Sequence, residues 1–198
     1  MEMVHRRTAA IVKTGLLSAA ATVLMFIEFP LPVFPAFLQL DLSEVPALLG
    51  SFALGPMAGI LVELIKNLLH IAIKGTSTAG VGELANFLVG SAMVVPAGIM
   101  YRKKKTKHTA VVSMIVGTVL MAVVGCFFDY YALFPMYKTL MGIPMDSIIE
   151  MGSKLNPMIV NLKSMMVLCV APFNILKGLI VSLITLLLYK KLSPILHS

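Results

Sequence analysis

Residues 101–128 read YRKKKTKHTAVVSMIVGTVLMAVVGCFF, a basic cluster followed at once by an apolar stretch. The apolar part, which we take as residues 109–132, is long enough for a transmembrane helix, because a span needs about 20 apolar residues. Lysine and arginine collect on the cytoplasmic side of such segments. The stretch therefore predicts a membrane helix that begins at the cytoplasmic face. A patch for RNA or for anionic lipid is the alternative for the basic cluster.

The composition of the whole chain also indicates a membrane protein. Of its 198 residues, 59% are hydrophobic and 13% are charged, whereas a soluble domain is about half apolar and about a quarter charged. A chain of this length fits one compact bundle, so we expect a single transmembrane domain over residues 1–198. Both cysteines, Cys126 and Cys169, fall in apolar segments, and we assign them no redox or metal role.

Five further apolar segments complete the prediction of an all-α integral membrane protein, a six-helix transmembrane bundle. They are residues 8–29, 42–54, 57–73, 82–101 and about 160–189. The segment 42–54 is short, so we expect it to span part of the bilayer or to turn tightly into the next segment through residues 54–56.

Basic residues also lie near both ends of the chain. Arg6, Arg7 and Lys13 flank the first segment, and Lys190 and Lys191 follow the last one. With six spans these residues and the cluster at 102–107 all lie on one side of the membrane. The distribution therefore predicts cytoplasmic N and C termini.

The three loops predicted on the opposite side differ in composition from the basic link. Residues 29–44 carry three prolines and two acids, residues 74–83 are rich in Gly, Ser and Thr, and residues 134–157 form a long polar loop. Binding groups concentrate in loops, so these segments could form a lid over a cavity. Plain connection is the alternative.

Several polar residues fall inside the predicted spans, where each charged one costs about 2.5–3.5 kcal/mol at the centre of a helix. Glu63 and Lys66 are three residues apart and could satisfy each other; a proton relay is the alternative. His70 alone makes no metal site. The remaining polar residues of these segments are Asn67, Glu83, Asn86 and Asp129.

The last span contains APFNILKG at residues 171–178, and its polar pair predicts a binding site. Asn174 and Lys177 share a helix face and have no acidic neighbour within a turn. An amide and an ammonium together could recognise a planar ligand edge with carbonyls and an N–H. The alternative, compatible with the first, is that Lys177 pairs with Asp129 or Glu83.

The sequence shows no nucleophile–base pair, metal-ligand cluster or Walker motif. We therefore expect neither catalytic nor metal-binding residues, and no enzyme. A chain this small without an ATP site suggests a binding subunit that takes its energy from a partner.

Several stretches together identify a family. They are residues 29–59, LIKNLLH at 64–70, GVGELANF at 80–87, FPMYKTLMG at 134–142 and FNILKG at 173–178. The chain resembles the riboflavin-specific S component of energy-coupling-factor (ECF) vitamin transporters, over nearly its whole length. The resemblance implies high-affinity capture of riboflavin outside the cell and its passage inward. Riboflavin would be the transported ligand, and no cofactor is expected.

The resemblance also implies a substrate site that faces outward under the three loops. Asn174 and Lys177 would contact the flavin ring, and Asp129 stands where many relatives carry asparagine. The first loop would contribute around Leu40 and the second around Thr76 to Gly82. Glu83 and Asn86, which open the fourth segment, complete the predicted site.

The family implies a membrane coupling protein, the T component, with two cytoplasmic ATPase subunits as partners. Docking in the family uses small residues four apart on the first helix, where such spacing allows close approach. The nearest match here is Gly15 and Ala19, with Ser18 and Thr22 on a neighbouring stripe. Packing inside the bundle would explain these residues as well.

Three other functions remain open at this point. The chain could be an S component for another vitamin, of the pyrimidine or pantothenate type. It could also be a stand-alone proton-coupled carrier using Glu63, Lys66 and Asp129, or, least favoured, a membrane enzyme. The expected location is the prokaryotic plasma membrane, with the bilayer as a contact and no nucleic acid.

Overall fold

The computed structural model describes residues 2–197, with side-chain surroundings for residues 7–189, and most of this part is helical. Arg6, Lys190 and Lys191 lie outside the described side chains. The helices are α1 Glu2–Phe26, α2 Glu44–Leu54, α3 Pro56–Lys74, α4 Val81–Lys103, α5 Lys107–Phe128, α6 Phe134–Met141, α7 Met145–Ser153, α8 Leu162–Met165 and α9 Ala171–His197.

Two short strands close the loop between α1 and α2. Strand β1, Phe29–Pro30, pairs antiparallel with β2, Gln39–Leu40. The pairing brings the two ends of this proline-rich loop together, so that the chain returns to the bundle directly before α2.

In the part of the chain that the structure describes, five helical segments are long and apolar enough to cross a membrane. They cover residues 7–26, 56–74, 81–103, 107–141 and 162–189. Large apolar side chains such as Leu16, Val23, Phe127 and Leu183 point outward from them and are exposed, as expected of surfaces that face lipid. The predicted class, a helical membrane protein, is confirmed.

Helix α2 occupies the predicted sixth segment and is short, as expected, with 11 residues. Every residue from Glu44 to Phe52 is buried, because α1, α3, α4 and α9 all pack against this helix. A helix enclosed by other helices does not need the length of a span that faces lipid. The predicted tight turn is also present, since Gly55 ends α2 and Pro56 is the first residue of α3.

Two of the long segments contain a π-helical stretch, which the apolar pattern did not predict. Asp129–Leu133 joins α5 to α6, and Met166–Val170 joins α8 to α9. Such wide turns are rare and often mark functional sites. Here they lie directly before α6 and directly before the part of α9 that carries Asn174 and Lys177.

Among the described side chains, the buried apolar ones form two clusters. One lies nearer the loops of residues 27–43 and 142–161, and the other lies nearer the link at 104–106. Along α9, Phe173 belongs to the first cluster and Val181 to the second. Lys177 lies between these two residues, about 6 Å along the helix from each at 1.5 Å per residue. A polar layer thus separates two apolar regions of the bundle.

Candidate ligand-binding site

A cavity opens in this polar layer beneath the loops. Its empty volume, including the open space at its mouth, is about 620 Å³. Asn86, Asp129, Asn174 and Lys177 provide polar groups along its wall. The rest of the wall is largely apolar or aromatic, with Phe37, Val89, Met121, Leu133, Tyr137 and Phe173.

Five of the predicted site residues line this cavity: Gly82, Asn86, Asp129, Asn174 and Lys177. The structure thus brings together residues from α4, from the first π-helical stretch and from α9. Contact of these side chains with a ligand stays a prediction.

The other predicted site residues lie around the cavity. The side chain of Leu40 is buried in the apolar cluster under the loops. Thr76 organises the loop before α4, because its hydroxyl accepts from the Gly80 backbone N–H at 2.9 Å and donates to Glu83 Oε2 at 3.0 Å. Glu83 faces a neighbouring cavity, described below.

Asn174 is held by its own helix. Its Nδ2 donates to the Val170 carbonyl at 3.0 Å. This hydrogen bond orients the amide, and its Oδ1 is available to accept a hydrogen bond. A Cβ at Gly125 of α5 would lie 2.7 Å from Asn174 Nδ2. Glycine at position 125 therefore leaves the space in which this amide sits.

Lys177 forms ion pairs that the sequence did not predict. Its Nζ lies 2.8 Å from Asp41 Oδ2 and 3.0 Å from Glu44 Oε1. The alternative that paired Lys177 with Asp129 or Glu83 is wrong for the part of the chain that the structure describes. The reason is that the segment from β2 to the start of α2 carries Asp41 and Glu44 into the bundle centre, so these nearer acids pair with the ammonium instead.

Lys66 forms a second group of ion pairs beside that of Lys177. Its Nζ lies 2.8 Å from Glu63 Oε2, 3.3 Å from Glu44 Oε1 and 2.7 Å from the Ser43 hydroxyl. The predicted pairing of Glu63 with Lys66 is therefore confirmed. Glu63 also needs space: a Cβ at Gly90 would lie 2.5 Å from its Oε2.

The ion pairs of Lys177 and those of Lys66 form one buried charge network, defined here as Asp41, Glu44, Glu63, Lys66 and Lys177. Each of the five residues is less than 5% exposed. Glu44 Oε1 bridges the two ammonium groups, while Glu44 Oε2 is buried without a hydrogen-bond partner among the described residues. Glu44 also lines the cavity.

Asp41 lies in the loop before α2, outside the membrane-capable segments. Burial by itself would raise the pKa of this carboxyl, but the ammonium groups of Lys177 and Lys66 outweigh it and lower the pKa to about 2. The Ser43 backbone N–H also donates to Asp41 Oδ1 at 2.8 Å. Asp41 therefore stays ionised and keeps Lys177 fixed at neutral pH.

Sequence reasoning missed several residues of the site, above all Asp41 and Glu44, together with Phe37, Gln39 and Tyr137. A signal for the acids was present, since two carboxylates stand in LDLSE at residues 40–44, between a proline-rich loop and an apolar helix. Two acids at such a boundary call for a buried cation as partner.

A second cavity adjoins the first one. The two share a wall formed by Phe37, Gln39, Gly82, Asn86 and Tyr137. The second cavity has an empty volume of about 800 Å³. Its other lining residues are mainly polar and include Glu28, Asp41, His70, Ser77, Thr78 and Glu83.

The small residues predicted on α1 face two different ways. Gly15 and Ala19 are exposed, and a Cβ at Gly15 would have no neighbour within 4 Å. Ser18 and Thr22 are buried, with hydroxyls that donate to the Thr14 and Ser18 carbonyls, each at 2.8 Å. The stripe of Ser18 and Thr22 packs inside the bundle. Burial of these two hydroxyls is possible because each donates a hydrogen bond to its own helix.

The sequence matches the family of ECF transporter substrate-specific components over residues 9–189. Among similar curated proteins, the riboflavin transporter RibU of Staphylococcus aureus (strain TCH60) is 36% identical over 186 residues, which cover 94% of this chain and 91% of the relative. The riboflavin transporter FmnP of Bacillus subtilis (strain 168) is 34% identical over 186 residues, covering 93% and 92%.

The fold is also similar to a solved structure. A protein described as the S component of a bacterial ECF transporter superposes with a TM-score of 0.75 at 33% sequence identity. The match covers 97% of this chain and 99% of the other chain. Sequence and fold comparisons thus agree over almost the full length of both proteins.

Proposed function

The chain belongs to the substrate-specific components of ECF transporters, and from this membership we propose that it is the riboflavin-binding subunit of such an importer. The observation that carries the proposal is the polar edge of the cavity, formed by Asn174 and Lys177 beside aromatic walls. The two relatives named as riboflavin transporters support the substrate.

The chemistry of this edge suits a flavin ring. One end of the ring carries carbonyls and an N–H, and the other end is an apolar dimethylbenzene. An ammonium has three donors; Asp41 and Glu44 occupy two of those of Lys177, which leaves one for a ring carbonyl. Asn174 Oδ1 can accept from the ring N–H. Charge-assisted hydrogen bonds are among the stronger kind, and Phe37 and Phe173 can pack on the apolar part.

The proposed topology has six transmembrane segments in the prokaryotic cell membrane, with cytoplasmic N and C termini. The position of helix α2 in the bundle supports a sixth membrane crossing. It starts beside Lys66 and Lys177 and ends at Gly55, where a Cβ would lie 3.7 Å from Arg102 Nη1. The helix therefore runs from the polar layer to the end that carries the basic link, which would be cytoplasmic.

The proposed partners are a T component and two ATPase subunits. The exposed face of α1 that contains Gly15 and Ala19 supports docking there, because small residues four apart let another helix approach closely. Energy for release of the vitamin inward would come from those subunits.

Titration of riboflavin with the detergent-purified protein tests the ligand and the site together. The chain has no tryptophan, so the fluorescence of riboflavin itself is measured, and we expect quenching as the ring contacts the protein. Asn174→Ala and Lys177→Ala should each weaken binding by about 1–3 kcal/mol, roughly a factor of 5 to 150, with the larger effect for Lys177. Their double mutant should lose less than the sum.

Lys163→Ala is a matched control, because this exposed lysine lies near the start of the helical run that continues into α9. Asp129→Asn should bind nearly as well as the parent, since its amide oxygen can still accept, whereas Asp129→Leu should bind weakly. Failure of the parent to bind riboflavin would point to another vitamin. Uptake without ATPase subunits would point to a stand-alone carrier.

A further inference from the structure

A groove lies on the outer surface of the bundle, between α5 with the π-helical stretch that follows it and the helical run from α8 to α9. One wall extends from Val119 to Tyr131 and the other from Lys163 to Ile175. The empty volume, including the open space in front of the groove, is about 1120 Å³. Among the described residues, the groove shares no lining residue with the two cavities beneath the loops. It is therefore separate from the proposed riboflavin site.

The walls of the groove are apolar along most of their length. Val123 and Phe127 line one wall and Val167 lines the other, and all three side chains are exposed. Each wall extends about 18 Å along its helix at about 1.5 Å per residue. The hydrocarbon part of one leaflet is about half of the bilayer core of about 30 Å. The groove therefore matches one acyl chain of a single leaflet.

Polar side chains lie at the loop end of the groove. Tyr130 and Tyr131 stand at this end of one wall and Lys163 at this end of the other. Tyrosines concentrate at the level of the lipid headgroups. Lys163 is exposed and forms no ion pair with the described residues, whereas Lys154 of the loops pairs with Glu150. The ammonium of Lys163 is therefore available to an anion at the headgroup level.

Both π-helical stretches border the groove. Tyr130 belongs to the first, and Met166 and Val167 belong to the second. The Cys126 thiol of α5 donates to the Met166 carbonyl at 3.5 Å, so the two walls are in contact. Turns of this kind are rare and often lie at functional sites. Two of them at one groove favour a specific occupant over unselective contact with lipid.

We propose that this groove binds an anionic phospholipid from the leaflet at the loop end, which is the outer leaflet in the proposed topology. One acyl chain lies along the groove between Val123 and Val167, and the phosphate of the headgroup meets the ammonium of Lys163. The apolar walls alone would accept any lipid chain, and the lysine selects a headgroup with a net negative charge. The site does not depend on which vitamin the protein binds.

Native mass spectrometry of the detergent-purified protein tests the headgroup. Two lipids with identical chains are compared: dioleoyl phosphatidylglycerol, which is anionic, and dioleoyl phosphatidylcholine, which has no net charge. We expect the anionic lipid to bind about fivefold more tightly, the factor that corresponds to about 1 kcal/mol for one basic residue. Lys163→Ala should remove this preference. Lys138→Ala, at an exposed lysine of α6 outside the groove, should retain it.

Substitutions that fill the groove test the acyl chain. Ala171 is half-buried in one wall, and Ala171→Phe should lower the binding of phosphatidylglycerol several-fold although Lys163 remains. If this variant does not fold, Val123→Trp fills the groove from an exposed position. Leu183→Phe, at an exposed position of α9 outside the groove, is the control and should bind the lipid like the parent. The melting temperature of each variant shows whether it is folded.

The contrary results are distinct. Equal binding of the two lipids by the parent, or a preference that persists in Lys163→Ala or falls equally in Lys138→Ala, would overturn the headgroup site. Undiminished binding by the folded groove-filling variants would overturn the chain site. A dimer that disappears in Ala171→Phe would assign the groove to a second copy instead. Binding of glycerol 3-phosphate as tightly as the lipid would assign Lys163 to a free phosphate. None of these measurements contains riboflavin, so the proposed function stands or falls separately.

Discussion

At the scale of single residues, Glu44 connects the ligand site to the interior. One of its oxygens lies 3.0 Å from Lys177 and 3.3 Å from Lys66, so both ammonium groups are oriented by the same carboxylate. Lys177 is thereby positioned before a ligand arrives. Preorganisation of this kind reduces the entropy lost on binding.

Replacing Asp41 with asparagine tests this arrangement. The substitution keeps the shape of the side chain but removes one of the two carboxylates that pair with Lys177. Removing a partner from a buried ion pair costs up to about 3–5 kcal/mol, so we expect a lower melting temperature and weaker riboflavin binding. Asp146→Asn, on the exposed surface of α7, should change neither measurement.

The same variant has a defined pH dependence. Because the pKa of Asp41 is lowered to about 2, its stabilisation is fully present above its unfolded pKa of about 4 and is lost as the pH falls towards 2. The melting-temperature difference between the parent and Asp41→Asn should therefore stay constant from pH 8 to 5 and shrink below pH 4. A difference unchanged at pH 3 would contradict an ionised Asp41.

What the sequence could predict at this scale depended on distance along the chain. Lys66 and Glu63 are three residues apart, so helix geometry alone predicts their pairing. Lys177 and Asp41 are 136 residues apart, and no periodicity relates them. Asn174 and Lys177 were identifiable because polar residues stand out in an apolar span, but the partners that fix Lys177 depend on how the loop before α2 folds.

At the scale of elements, the long helices were predictable and the π-helical stretches were not. Runs of apolar residues are required by the bilayer itself, so each long span leaves a signal in the sequence. Apart from Asp129, the wide turns at Asp129–Leu133 and Met166–Val170 contain ordinary apolar and aromatic residues. The first stretch contacts α4 and α5 and the second contacts α5, and no local pattern in the sequence predicts such contacts.

Helix α1 provides a prediction at this scale. Replacing both Gly15 and Ala19 with leucine should leave folding and riboflavin binding intact, because both positions are exposed, but should block assembly with the T component and uptake. Co-purification and vitamin uptake by cells measure the effect. Ala21→Leu, at a position that is 0% exposed, should instead reduce folding. Normal uptake by the double variant would exclude this face as the docking surface.

At the scale of the whole molecule, the topology can be tested with single cysteines. A cysteine at Lys105 should be protected from an impermeant thiol reagent in intact cells, and one at Lys154 should react. Both positions are exposed in the structure, so accessibility reports the side of the membrane. The parent, with Cys126 half-buried and Cys169 buried, gives the background. The reverse pattern would overturn the proposed orientation.

The charge network has a further consequence for the order in which the protein is made. Helices α2 and α3 emerge from the ribosome long before α9, and they carry Glu44, Glu63 and Lys66, which can pair with one another as the hairpin leaves the insertion channel. Lys177 arrives last, in a bundle that already holds excess acid. We therefore expect Lys66→Met to lower the fraction of newly made chains that enter the membrane, whereas Lys177→Met chains should enter normally and be degraded afterwards. Pulse-labelling followed by membrane extraction distinguishes the two, and equal early losses would contradict this order of assembly.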